Sequence, residues 1–94
     1  MALEFEWDPR KAVSNLVKHG VSFQEAATVF GDTLGRIVAD PRHSLEEERL
    51  VLLGLSQEKR LLAVMFVERG EAIRIISARR ATRRERRDYE EDPG

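Results

Sequence analysis

Three apolar runs crowd into residues 49–78 (49–55, 60–67 and 72–78), separated only by Ser56-Gln57-Glu58-Lys59 and Glu68-Arg69-Gly70-Glu71. Each has the length of a strand rather than a helix, and the last, Ala72-Ile73-Arg74-Ile75-Ile76-Ser77-Ala78, is rich in β-branched residues. Turns this short connect neighbouring strands in a meander, and Gly70 suits the tighter of the two. An earlier run at 34–39 is followed by the polar loop Asp40-Pro41-Arg42-His43-Ser44. Residues 50–55 and 61–67 are apolar at both alternating positions, so both faces of the sheet centre need cover.

The cover is readable from helix signals on either side. Asp8-Pro9 is an N-cap followed by proline at the first helical position, and Gly20 stops the helix it opens. Within that helix Ala12, Val13, Leu16 and Val17 recur as one apolar stripe, leaving Arg10, Lys11, Asn15 and Lys18 to face water. Ser22-Phe23-Gln24-Glu25 is a capping box, with Val21 placed to staple onto Ala26, and predicts a second helix to about Phe30. Thr82-Arg83-Arg84-Glu85 is another, opening a C-terminal helix to Tyr89 or just beyond, before a short acidic tail at 90–94. Phe5-Glu6-Trp7 has the alternation of a short edge strand, and Trp7 and Phe23 read as core anchors near the helical pair. The expectation is an α+β fold in one domain, 1–94: a helical hairpin, a three- to four-stranded antiparallel sheet, and a C-terminal helix over part of its second face.

Ninety-four residues, 41% of them hydrophobic, supply one modest core. No apolar stretch reaches the roughly 18 residues of a spanning helix, and the first residues resemble no signal peptide, so a cytoplasmic chain with no membrane contact is expected. The absence of cysteine removes disulfides, thiolate nucleophiles and cysteine metal sites. Net charge is only −1, but it is unevenly spread. Residues 74–87 hold seven arginines (Arg74, Arg79, Arg80, Arg83, Arg84, Arg86, Arg87) against Glu85, which is +6 and leaves −7 for the remainder. Arginine's planar fork suits bidentate contact with phosphate or carboxylate.

An ordered set of residues resembles the BrnT family: Phe5-x-Trp7-Asp8, Lys18-His19-Gly20-Val21-x-Phe23-x-Glu25-Ala26, Val29-Phe30-x-Asp32, His43-Ser44 with Glu48-Arg49, Gly54-x-Ser56, and Ile73-Arg74-Ile75-Ile76-Ser77-Ala78-Arg79 with Glu85-Arg86 and Tyr89-Glu90. It runs from about Phe5 to Glu90. The resemblance implies a RelE-like fold and the ribonuclease toxin of a type II toxin–antitoxin system, inhibiting translation. It also implies neutralisation by a BrnA-like antitoxin with a ribbon-helix-helix DNA-binding domain, with which the toxin forms a heterotetramer and represses its own operon.

Metal-free RNA cleavage needs a base for the ribose 2′-hydroxyl, an acid for the leaving oxygen, and cations around the phosphorus. Histidine titrates near neutral pH, which makes His43, with Glu48 and Arg49 behind it, a candidate acid or base; the alternative is an exposed loop residue. His19 ends the first helix and reads better as a cap to its dipole. RelE-like toxins favour arginine, lysine and tyrosine, so the resemblance also implies Arg60, Arg79 and Tyr89 in phosphate orientation, charge stabilisation and proton transfer, and Arg49, following His43, is a further catalytic candidate. Arg74, Arg80, Arg83 and Arg87 are candidates for RNA phosphates, or for an acidic segment of the partner. Strand alternation puts Arg74 on the face of Ile76 and Ala78, with Arg79 and Arg80 at the strand's end beside a cleft.

Other chemistries lack residues. The acidic groups Glu46-Glu47-Glu48 and Glu90-Glu91-Asp92 read as a solvated loop and a tail rather than a Mg²⁺ site, two distant histidines make a poor zinc site, and no phosphate-cradling glycine motif occurs. No cofactor or metal is expected. The rival reading is a non-catalytic corepressor working with a DNA-binding antitoxin. Residues 8–30 imitate a helix-turn-helix, but Gln24-Glu25-Ala26-Ala27-Thr28-Val29 holds no cation for DNA phosphates, so DNA is expected to be met only through the antitoxin.

Overall fold

The computed structural model of the protein describes residues 3–39 and 48–91. Strand β1 (Glu4–Glu6) leads into helix α1 (Pro9–His19) and helix α2 (Phe23–Thr28), which tightens into a 3₁₀ turn at Val29–Gly31. Strands β2 (Arg36–Ala39), β3 (Leu50–Leu55), β4 (Leu61–Arg69) and β5 (Ala72–Arg80) follow, and helix α3 (Arg83–Glu91) comes last. The sheet order is β1-β5-β4-β3-β2.

The helix ends follow the sequence signals. The Asp8 carboxylate accepts from the Arg10 amide at 2.8 Å, and Gly20 closes α1 with φ of 69°, where a side chain would be strained. The Ser22 hydroxyl accepts from the Glu25 amide at 3.0 Å, and Thr82 and Glu85 exchange reciprocal bonds at 3.1 and 2.9 Å.

The sheet departs from expectation in being five-stranded and mixed. β2 to β5 form the antiparallel meander, but β1 lies parallel to β5, Phe5 opposite Ile73, so the order opens on a paired strand rather than on the helical hairpin. Three residues are too few to show direction in a sequence pattern. β4 runs on to Arg69, two residues beyond its expected end, and Gly70-Glu71 alone turns the chain, with Gly70 at φ of 59°. β2 starts at Arg36 rather than residue 34, and the second helix leaves α geometry at Thr28. The register between β4 and β5 steps from Met65 opposite Ser77 to Phe66 opposite Ile75, making Ile76 the extra residue of a bulge. That step breaks simple alternation: Ala78 joins Ile73 and Ile75 in the core, and Arg74 does not share its face.

One face of the sheet carries the larger core, in which Phe23, Val29, Leu62, Val64, Phe66 and Ile75 are wholly or almost wholly buried under α1, α2 and the 3₁₀ turn. Edge-to-face rings link Phe5 to Phe30 (5.1 Å), Phe30 to Phe66 (5.0 Å) and Trp7 to Phe23 (5.8 Å), consistent with Trp7 and Phe23 as core anchors. The other face holds a smaller cluster, Val51, Leu53, Leu61 and Ala63, against which Met65, Ala81 and Tyr89 pack. Gly54 is needed between the two: a Cβ there would lie 3.0 Å from Val29 and 3.1 Å from the Asp32 carboxylate.

Helix α1 reverses its expected orientation. Asn15, expected in water, is buried, while Val13, Leu16 and Val17 are exposed. The amide earns its place by completing two chain segments: it donates to the carbonyls of Val21 (2.9 Å) and Ala78 (2.8 Å) and accepts from the Ala78 amide (3.0 Å).

Candidate functional site

The end of β5 and the start of β4 meet through a bond from the Ala81 amide to the Leu61 carbonyl, 3.0 Å. Around it opens a cleft of about 330 Å³ lined by Lys59, Arg60, Leu61, Arg80, Ala81 and Arg86. Four of the six are cations and none is acidic. Lys59 comes from the β3–β4 turn, Arg80 from the last position of β5 and Arg86 from the first half of α3, so three separate elements converge their charge. Lys59 and Arg80 are exposed and make no ion pair among the described residues; Arg86 is 3.6 Å from Glu90 across one helical turn, an exposed and weak contact.

Lys59 sits in the turn with φ of 63°, the single non-glycine residue in the left-handed region among those described. Lysine is a poor choice for that backbone, which costs about 1–2 kcal/mol for a residue with a Cβ, and its occurrence beside three arginines fits selection for charge over turn chemistry.

Arg60 is locked into the wall. Its guanidinium meets both oxygens of the buried Glu25 carboxylate and the Gly20 carbonyl (3.0 Å), and the Ser56 hydroxyl donates to Glu25 at 2.7 Å. Hydrogen bonding from Arg60 outweighs burial and holds the Glu25 carboxyl below the usual range, and the same contact raises Arg60 above its ordinary value. Glu25 therefore fixes the direction of Arg60 and cancels part of its charge.

The other predicted site residues disperse. Arg79 follows the alternation of β5 to the opposite face from Arg80, where it grips Glu85 with two bonds of 2.7 and 3.0 Å; chiefly through that contact the Glu85 carboxyl is depressed. Arg74 reaches Glu6 at 2.9 Å across the β1–β5 pair. Tyr89 donates to Asp32 at 2.6 Å, and burial followed by that bond pushes its hydroxyl up to about 12, so it stays neutral and its proton is committed. Burial would raise Asp32, but bonds from the Leu55 amide, Tyr89 and the Leu34 amide hold it below the usual range. Arg49 precedes β3 and is half-buried, Arg83 and Arg87 are exposed on α3, and His43 lies outside the described residues.

Of the nine predicted residues, then, Arg60 and Arg80 share the cleft, and Lys59 and Arg86 join them unforeseen. Arg86 stood inside the basic run and Lys59 in a named turn, but nothing in sequence brings the turn against the helix. A second groove of about 360 Å³, between α3 and the β2–β3 edge, has an apolar floor of Val38, Val51 and Leu53 but is flanked by Glu85 and Asp88 as well as Arg36. A polyanion prefers the first.

Among the described residues, no helix is long and apolar enough to cross a membrane. No curated protein matches this sequence. The Brucella abortus ribonuclease toxin BrnT, known from a 1.1 Å crystal structure, has a similar fold: TM-score 0.67 at 24% identity, covering 87% of this chain and 100% of that one. The family model for the ribonuclease toxin BrnT of type II toxin–antitoxin systems matches residues 7–85. A match of that extent places the chain in the BrnT family of ribonuclease toxins.

Proposed function

We propose that this protein is a metal-independent endoribonuclease that holds the RNA backbone in the cleft of Lys59, Arg60, Arg80 and Arg86 and thereby inhibits translation. The convergence of four cations from three elements, with no carboxylate between them, carries the reading. Lys59 and Arg80 bind flanking phosphates and Arg86 faces the phosphoryl group where negative charge grows, while Arg60, held by Glu25, fixes the cleft wall between them. The ribose 2′-oxygen attacks the adjacent phosphorus, forming a 2′,3′-cyclic phosphate as the bond to the 5′-oxygen breaks. The 2′ proton passes to a base and the departing 5′-oxygen takes one from an acid; His43 is the proposed partner in one of these transfers, with Arg49 beside its loop.

Tyr89 and Arg79 enter this reading as positioning residues, because their polar groups are engaged with Asp32 and Glu85. Arg74, Arg83 and Arg87 extend the cationic surface that the RNA follows. The partner is proposed to be a BrnA-like ribbon-helix-helix antitoxin in a heterotetramer, through which alone the toxin meets operator DNA.

The test is cleavage of a labelled single-stranded RNA with and without EDTA by the wild type, Arg80→Ala/Arg86→Ala and His43→Ala. Cleavage is expected to survive EDTA, to leave a cyclic or 3′-phosphate end, and to fall at least 100-fold in the double variant, the order of one lost electrostatic contact in the transition state. Folded protein that leaves RNA intact under every condition would sink the catalytic reading and favour the corepressor alternative.

A further inference from the structure

Helix α1 presents its apolar residues to solvent. With about 3.6 residues per turn, Val13 and Val17 each lie about 160° from Asn15, the residue turned to the sheet, and Leu16 about 100°. Their exposures agree: 65%, 83% and 52%, against 6% for Asn15. The three are spaced i, i+3, i+4, the spacing by which one helix receives the apolar face of another. Arg10 borders the stripe about 20° from Val17, and Lys18 follows on the same flank about 100° from Val17; both are exposed and without an ion pair among the described residues, and α1 contains no carboxylate.

We propose that this outer face of α1 is the docking surface for an acidic amphipathic helix of the protein antitoxin, its apolar residues on Val13, Leu16 and Val17 and its carboxylates on Arg10 and Lys18. The proposal rests on the toxin–antitoxin reading for the existence of a protein partner, and takes the surface from the stripe itself. Charge complementarity selects the occupant. A second copy would set the same cations against one another across a two-fold axis, and the one apolar side chain of α3, Tyr89, is engaged with Asp32. A bilayer is disfavoured because the face carries no aromatic residue to enter it, and RNA phosphates gain nothing from three aliphatic side chains at the centre. The position also suits neutralisation: Arg60 binds the Gly20 carbonyl that ends α1, so a partner seated on this helix adjoins the cleft wall.

The experiment measures cognate antitoxin binding to the full chain by calorimetry at two salt concentrations, for the wild type, Val17→Glu, Val17→Gln and Arg10→Glu/Lys18→Glu. Melting by circular dichroism checks that each variant folds, and RNA cleavage by each toxin alone and binding to phosphatidylglycerol vesicles are measured in parallel. The expected result is a loss of roughly 10-fold or more in affinity for Val17→Glu, a smaller loss for Val17→Gln, and a weaker salt dependence in the charge-reversal variant, with cleavage by the isolated toxins unchanged. Wild-type affinity in all three variants overturns the proposal, as does a loss that appears in cleavage or vesicle binding instead. A wild type that binds antitoxin but leaves RNA intact defeats the ribonuclease reading and not this surface; a wild type that cleaves RNA but binds no antitoxin defeats this surface and the antitoxin partner, and leaves the ribonuclease reading standing.

Discussion

At the residue scale, two side chains stand where their type is out of place. Asn15 is a polar residue in a core, and all three of its hydrogen bonds close backbone groups of α1's neighbours. Asn15→Leu fills the space but strands the Val21 carbonyl and both polar groups of Ala78, each worth about 1–3 kcal/mol when buried and unpaired. Urea unfolding is expected to show a loss of about 3 kcal/mol or more, larger than a polar-to-apolar exchange in a core would suggest; an unchanged midpoint would mean water reaches those groups. Lys59 holds a backbone conformation that favours glycine. Lys59→Gly is expected to leave stability unchanged or raise it by up to about 1 kcal/mol, while weakening RNA binding and lowering the salt slope by about 0.7 for one lost contact on a single strand. A variant equally stable and equally tight in binding would remove Lys59 from the cleft's role.

At the scale of elements, α3 is anchored by a few polar contacts rather than by a buried face. None of its residues is fully buried, and it is held by Tyr89 on Asp32, Arg79 on Glu85, and Arg36 on the Asp88 carbonyl at 3.0 Å. Tyr89→Phe is expected to cost about 1 kcal/mol and to speed amide hydrogen exchange along residues 83–91 more than elsewhere. The wild-type tyrosine also sets an alkaline limit. Its folded value is raised above the ordinary one near 10, so its contribution is whole below that pH and lost as pH rises through about 12; Tyr89→Phe removes that limb of the profile. Helix ends were legible because caps are local: Asp8-Pro9, Gly20, Ser22 with Glu25 and Thr82 with Glu85 act within four residues of themselves. What needed long-range information was not legible. The apolar stripe of α1 was real, but which side of the helix meets the sheet is set by the pairing of Asn15 with Ala78, 63 residues away. The bulge at Ile76 displaced Arg74 from the face that simple alternation gave it, and the same run of arginines split between two faces at Arg79 and Arg80. The charge cluster therefore pointed to the end of the sheet where the cleft opens, and only the fold could bring Lys59 to it.

For the molecule as a whole, three carboxylates among the described residues are held below their ordinary range, Glu25 by Arg60, Asp32 by its three donors and Glu85 by Arg79, and they tie α2, the end of the 3₁₀ turn and α3 to the sheet. Each has a depressed folded value, so each contributes stability above the ordinary carboxylate range near 4 that is lost as pH falls through the lower, folded value. Urea midpoints from pH 7 to pH 2 are expected to hold steady and then drop below about pH 4; Glu25→Gln is expected to lower the neutral plateau, because Arg60 loses its partner, and to flatten the acid limb. The pairing of β1 with β5 has a consequence in time. Glu6 and Arg74 are 68 positions apart, and the cleft draws on Lys59, Arg80 and Arg86 together, so β1 waits for β5 before it has a neighbour. A chain growing from the ribosome carries α1, α2 and most of its sheet before it carries a complete anion-binding cleft. The cell that makes this protein meets no finished cleft until the codon for Arg86 has been read.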